Sequence, residues 1–174
     1  MNIEVTASPG KEPHLGELRF GDLRFPCALG RTGVTAQKIE GDGGTPTGQF
    51  SLLELRYRPD RTGAPATLLP VRKIAQADGW CDAPDDKAYN QPVRLPYAAS
   101  AEEMWRDDHL YDLVIILDYN MAPVRPRAGS AIFLHLAKEE EGALAPTQGC
   151  VALRRDDMLQ LLARITSETR IKIA

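Results

Sequence analysis

Two short apolar segments constrain this chain most: Ile132-Phe133-Leu134-His135 and Cys150-Val151-Ala152-Leu153. Both are β-rich, and Ala137 to Pro146 between them is charged, contains Gly142 and ends in proline, the composition of an exposed returning loop. If the segments pair side by side, the His135 imidazole and the Cys150 thiol meet at the same end of a sheet. A free thiol has a pKa of about 8.5, and a neighbouring imidazole raises its thiolate fraction and later protonates a leaving amine. Gly149 has no Cβ, so the N–H groups before and at Cys150 can turn toward a developing oxyanion. A lone Cys opening a strand is usually a small buried hydrophobe, and a lone His is usually structural. Their conjunction with Gly149 and the polar Thr147-Gln148 turn reverses that and points to cysteine acyl-transfer chemistry. Papain-like enzymes place the Cys before the His, so the order here excludes that class.

The rest of the chain reads as further short strands. Asn2 to Ala7 is one, and Gly16 to Leu29 is a hairpin turned at Gly21-Asp22. Phe50 to Tyr57, Val71 to Ile74 and Ile171 to Ile173 follow the same pattern. Leu113 to Asp118 is apolar on both faces and is expected at the centre. Gly30 to Gly48 reads as a turn-rich loop, and Arg58 to Pro70 as a Pro/Gly-rich one. Ala75 to Tyr97 is long, polar and aromatic, the profile of a functional loop and a candidate substrate lid. Ser100-Ala101-Glu102-Glu103 has the form of a capping box and predicts a short helix through Trp105. A second helix is predicted over Asp156 to Ile165, with Met158, Leu159, Leu161, Leu162 and Ile165 at helical spacing. The expectation is one mostly-β domain over residues 1–174, a curved β-sandwich or barrel with two short helices.

Composition narrows the function classes. A net charge of −3 and a pI near 5.6 argue against nucleic-acid binding. Leu113 to Leu117 is the longest apolar run, far below the roughly 18 residues of a membrane span. Met1 to Val5 lacks the basic and apolar regions of a secretory leader. Cys27, Cys81 and Cys150 leave at least one thiol unpaired, and a Cys27–Cys81 bridge stays open. Paired metal-ligand spacings are absent, so neither metal nor cofactor is expected.

The His135 to Cys150 segment resembles the signature of the L,D-transpeptidase catalytic domain (YkuD type), in which a His precedes a Ser/Thr-His-Gly-Cys element. Gly44-Thr45-Pro46-Thr47-Gly48-Gln49-Phe50 is similar to that family's Thr-Pro-x-Gly-x-Phe turn and strand. The resemblance runs from about residue 30 to 153. It implies a β-sandwich with Cys150 as nucleophile, His135 as acid and base, and Gly149 with its neighbours shaping the oxyanion hole. It also implies peptidoglycan stem-peptide substrates, a diaminopimelate-type amine as acceptor, carbapenem-type inhibitors and a cell-envelope location. Products are 3-3 or 1-3 cross-links, or hydrolysis by L,D-carboxypeptidase action. Three positions depart from the pattern: Gln148 replaces the His, Ala152 stands where an Arg is common, and Leu136 follows His135. Those departures favour a catalytically retired peptidoglycan-binding domain as one rival, and the absent leader suggests an intracellular thiol amidase as another.

Further candidates flank the central segments. His109, in a charged turn before Tyr111, is placed to orient the catalytic pair or bind substrate. Carboxylate-bearing stem peptides call for an Arg, with Arg154, Arg94, Arg125 and Arg127 as candidates and Arg154 nearest the nucleophile in sequence. Tyr119-Asn120, directly after the central strand, and Trp80, within the long loop, are candidate cleft residues.

Overall fold

Alternation of buried and exposed residues along the strands builds the molecule, which a computed structural model describes over residues 1–174. The strands of the N-terminal half are β1 (Ile3–Ala7), β2 (Leu15–Phe20), β3 (Leu23–Ala28), β4 (Val34–Thr35), β5 (Thr45–Pro46), β6 (Gly48–Tyr57) and β7 (Val71–Lys73). They are followed by β8 (Asp78–Cys81), β9 (Pro92–Arg94), β10 (Ala101–Glu103), β11 (Leu113–Leu117) and β12 (Phe133–Leu136). The chain ends with β13 (Glu139–Glu140), β14 (Ala143–Leu144), β15 (Val151–Leu153), the helix α1 (Arg155–Leu162) and β16 (Arg170–Ile173).

The main sheet has nine strands in the order β11-β12-β15-β3-β2-β1-β16-β6-β7, and β11 also pairs with β6. Strand β6 is long enough for both tasks: Gly48 to Ser51 pair with β16, and Leu52 to Tyr57 with β11. The sheet therefore closes on itself like a barrel, which satisfies backbone groups that an open edge would expose. Its interior is filled by Ile3, Val5, Leu18, Leu55, Ile115 and Leu134 among others, with α1 adding Met158, Leu161 and Leu162. Cys27 lies in this core, and all three cysteines are free, so the Cys27–Cys81 bridge is not formed.

Strand β11 explains how the site is placed. Leu113, Ile115 and Leu117 face the barrel interior, whereas Val114 and Ile116 belong to a second core outside the wall. A three-stranded sheet in the order β10-β8-β9 covers that outer face. Trp80 of β8 packs edge-on against Phe133 of β12 at 5.0 Å between ring centroids. Ile74, Met104, Tyr111 and Cys150 complete the second core. Burying an aromatic of this size contributes about 1.5–3 kcal/mol, which ties the small sheet to the barrel.

Two expectations are corrected here. Residues 100–105 form no helix; Ala101–Glu103 is strand β10, with Glu102 opposite Trp80 and the Asp82 N–H donating to Ser100 O at 3.3 Å. A helix so short repays its nucleation poorly, and the ladder to β8 offers backbone partners plus burial of Met104. The fold thus has one helix rather than two. The long segment 75–97 is also built rather than open, since it supplies β8 and β9. No helix is long and apolar enough to cross a membrane.

Candidate active site

The two opening segments pair in parallel, with Leu134 opposite Val151 and His135 opposite Ala152. That register sets Cys150 beside Phe133, so Phe133, His135 and Cys150 share the outer face of the barrel. The Phe133 N–H donates to Cys150 Sγ at 3.3 Å, and the thiol donates to Ala131 O at 3.2 Å. Cys150 and His135 both line a cavity of about 490 Å³.

Burial dominates the ionisation of both groups. It pushes the Cys150 thiol up to about 12; nearby Glu102 adds to the rise and the Phe133 N–H opposes it. It pushes the His135 imidazole down to about 4, against a hydrogen bond to the Leu136 carbonyl. The resting pair is therefore a protonated thiol and a neutral imidazole. His135 Nδ1 lies 2.8 Å from Leu136 O, so a neutral ring carries its proton on Nδ1 and its lone pair on Nε2. Tyr111 meets the imidazole edge-on at 5.4 Å and fixes the plane of the ring.

The loop before Cys150 is braced by the Gly-Thr-Pro turn. Thr147 Oγ1 donates to Cys150 O at 2.7 Å and accepts the Gly149 N–H at 3.1 Å. Thr45 Oγ1 accepts the Gly30 N–H at 2.8 Å and donates to Cys150 O at 3.4 Å. Gly149 has φ +140°, and a Cβ there would stand 2.8 Å from Gly44 O. Only glycine satisfies both conditions. Because Thr147 takes the Gly149 N–H, that group is not free to face an oxyanion. The Cys150 N–H has no acceptor within the protein. Gln148 lines the cavity, and its Oε1 accepts a hydrogen bond from Arg31, whose other nitrogen donates to Gly41 O at 3.2 Å.

The family model of the L,D-transpeptidase catalytic domain matches residues 18–173. The chain belongs to that family. Among solved structures, this transpeptidase-family domain is similar to Bd1075 of Bdellovibrio bacteriovorus, at 18% identity and TM-score 0.48, over 99% of this chain and 48% of that one. It is also similar to an L,D-transpeptidase from Mycobacterium smegmatis, at 13% identity and TM-score 0.44, over 99% of this chain and 58% of that one. A Mycobacterium tuberculosis L,D-transpeptidase aligns at 12% identity and TM-score 0.44, over 99% of this chain and 57% of that one. The domain thus spans about half the length of these structures. No curated protein sequence matches it.

Within the domain the remaining candidates scatter. Trp80 is buried in the second core and donates to Asn90 Oδ1 at 2.9 Å, away from the cavity lining. His109 Nε2 lies 2.9 Å from Ala137 O, bracing the chain after β12. Tyr119 packs edge-on against Phe50 at 5.4 Å, in a separate depression. Asn120 organises its own turn, with Nδ2 donating to Gly129 O at 2.8 Å and Oδ1 accepting the Arg125 N–H at 2.8 Å. Arg154 pairs with Glu139 at 2.6 Å on the surface, and Arg127 with Asp85 at 2.8 Å. Arg94 lies near Asp78 at 3.8 Å, and Arg125 lines the Tyr119 depression. None of these arginines lines the cavity.

The cavity instead takes Lys38, Glu40, Asp82, Glu102, Arg106 and Lys138 as its charged wall. Sequence reading named none of the six as a site residue, although Asp82 lies in the segment 75–97 read as a candidate lid. Asp82 and Glu102 arrive from the small sheet, whose pairing no local pattern announced. Lys38 and Glu40 sit in the glycine-rich loop and carried no periodic signal.

Proposed function

We propose that this domain is a cysteine-dependent L,D-transpeptidase of peptidoglycan stem peptides, working through a Cys150 acyl-enzyme. The observation that carries the reading is the placement of Cys150 and His135 on one face of two paired strands, opening on one cavity. Family membership supports the substrate class and a working location at the cell wall.

Cys150 attacks the carbonyl carbon of an L-residue joined to a D-residue. Its proton passes to His135 Nε2 as the carbon–sulfur bond forms, because neither group is ionised at rest. Burial makes the resulting imidazolium short-lived, which drives its proton onto the departing amine. The Cys150 N–H stabilises the oxyanion, and Gly149 lets the chain turn so that this donor is not shielded by a side chain. A second amine, typically that of a diaminopimelate residue, then attacks the thioester and releases a cross-link. Water in its place gives L,D-carboxypeptidase hydrolysis. These steps use protein side chains and backbone alone.

Incubation with purified muropeptides and mass analysis tests the reading, with a carbapenem as acylating probe. Expected results are 3-3 or 1-3 cross-linked or shortened products, and a carbapenem adduct on Cys150. Binding of muropeptides with neither adduct nor product would replace the reading with a retired peptidoglycan-binding domain.

A further inference from the structure

The three residues Gly129, Ser130 and Ala131, just before β12, are held one by one from segments distant in sequence. The Gly129 N–H donates to Tyr89 Oη at 3.0 Å, Ser130 Oγ donates to Glu40 at 2.7 Å, and the Ala131 N–H donates to Asn90 Oδ1 at 3.0 Å. Asn90 is only 2% exposed. Its Oδ1 also accepts Trp80 Nε1–H at 2.9 Å, and its Nδ2 donates to Tyr119 O at 2.9 Å and to Asn120 O at 2.8 Å. Two N–H groups and two lone pairs are all that an amide offers, so every one is used and the side chain has a single orientation. The Asn90 backbone N–H donates to Cys81 O at 2.8 Å, which anchors the residue to the small sheet.

Ala131 has φ +52°, in the left-handed region where a Cβ crowds the neighbouring carbonyl and alanine seldom stays unaided. In that conformation its carbonyl accepts the Cys150 thiol at 3.2 Å, while the Phe133 N–H meets the sulfur at 3.3 Å. We infer that Asn90 is a positioning residue for Cys150: it holds Ala131 in the left-handed conformation and so aims the carbonyl that fixes the thiol, a role that rests on the reading of Cys150 as the nucleophile. Without the amide, Ala131 relaxes toward negative φ and its carbonyl turns away. Only the molecules in which Ala131 stays left-handed then keep the sulfur in place, and the acylation rate falls with that fraction. Glycine populates positive φ about as readily as negative φ, so at position 131 it needs far less help. Asn90 thus makes part of the segment 75–97 a clamp behind Cys150, joined through Trp80 to the second core.

The test is carbapenem acylation of the full chain, followed by intact mass across a range of carbapenem concentrations. Asn90→Gly removes the amide and suits the φ of +57° at that position. It is expected to lower the maximal acylation rate about tenfold, the population lost by an unaided left-handed alanine, with the half-saturating concentration within about twofold of the parent. Adding Ala131→Gly to that variant is expected to raise the maximal rate again by about threefold or more. A purely structural amide predicts no such recovery, because a second glycine restores none of the hydrogen bonds to Trp80, Ala131, Tyr119 and Asn120.

A double variant no faster than Asn90→Gly alone overturns the inference, as does an Asn90→Gly rate within about twofold of the parent. If Asn90→Gly does not fold, Asn90→Ser is read in the same way, because its shorter side chain cannot span the same partners. Loss of folding in both overturns the inference in favour of a purely structural role. Failure of the parent itself to acylate overturns the transpeptidase reading, and with it any part for Asn90 in acylation.

Discussion

The backbone N–H of Phe133 points at the sulfur of Cys150 from the neighbouring strand, 3.3 Å away. The thiol is thus held by the parallel pairing of β12 with β15 rather than by the imidazole, and its proton is directed to Ala131 O. Cys150 and His135 are positioned independently, each by backbone groups of the barrel wall.

Cys150→Ala is expected to abolish both carbapenem adduct formation and cross-linking while leaving the melting curve close to that of the parent. Cys81→Ala and Cys27→Ala should keep turnover. Cys27 sits in the barrel core, so its loss should appear as about 1 kcal/mol of stability in urea titrations instead. Turnover by a folded Cys150→Ala protein would end the mechanism.

Alkylation of Cys150 by iodoacetamide should be slow at pH 7 and rise roughly tenfold per pH unit through pH 9. A thiol pushed up to about 12 has no plateau in that range. A plateau near neutral pH would mean that the resting pair is an ion pair. His135→Ala should slow acylation by the usual 10²–10⁴-fold for a lost acid and base, while leaving this alkylation profile nearly unchanged.

The imidazole also makes stability depend on acid. Its folded pKa, about 4, lies below the 6.5 of the unfolded chain, so its contribution is complete above pH 6.5 and is lost as pH falls toward 4. The full loss is roughly 3 kcal/mol at 1.36 kcal/mol per pKa unit. Urea unfolding at pH 7 and pH 4.5 should show that slope in the parent and a reduced one in His135→Gln. Equal slopes would assign the acid sensitivity to other groups.

Thr45 gives a stability test of the brace beneath Cys150. Its hydroxyl is fully buried, accepting from Gly30 and donating to Cys150 O. Thr45→Val is nearly isosteric but strands the Gly30 N–H. A loss of about 1–3 kcal/mol in urea unfolding is expected, with slower carbapenem acylation.

What the sequence made legible was whatever rested on a period or a fixed local spacing. The Gly21-Asp22 hairpin, the doubly apolar β11, α1 and the pairing of the His135 and Cys150 segments all carried such signals, and all appear in the fold. Ser100 to Glu103 carried a strong local signal too, yet the ladder to Trp80 overrode it. The cavity wall was illegible for the same reason. Asp82 and Glu102 become neighbours only through the pairing of two short strands, one in a segment that reads as loop and one in a segment that reads as helix. Arg154 is the converse case: it is near Cys150 in sequence, but its side chain pairs with Glu139 on the surface.

Gln148 is the departure from the family pattern that the structure makes testable. Arg31 holds its Oε1, and Arg31 is itself tied to Gly41 O, so the amide is fixed at the cavity rim. A fixed amide presents its remaining donors in one direction, which suits reading a substrate carbonyl. Gln148→His removes the acceptor that Arg31 uses and leaves two cationic groups in contact when the imidazole is protonated. The expected outcome is a changed ratio of 3-3, 1-3 and hydrolysed species from mixed muropeptides. Arg31→Ala should shift that ratio in the same direction, and should add little in the Gln148→His background, because the two residues act as one unit. Additive shifts would mean that Arg31 and Gln148 act separately. Identical profiles for the parent and all three variants would reduce Gln148 to a structural replacement for the family's His.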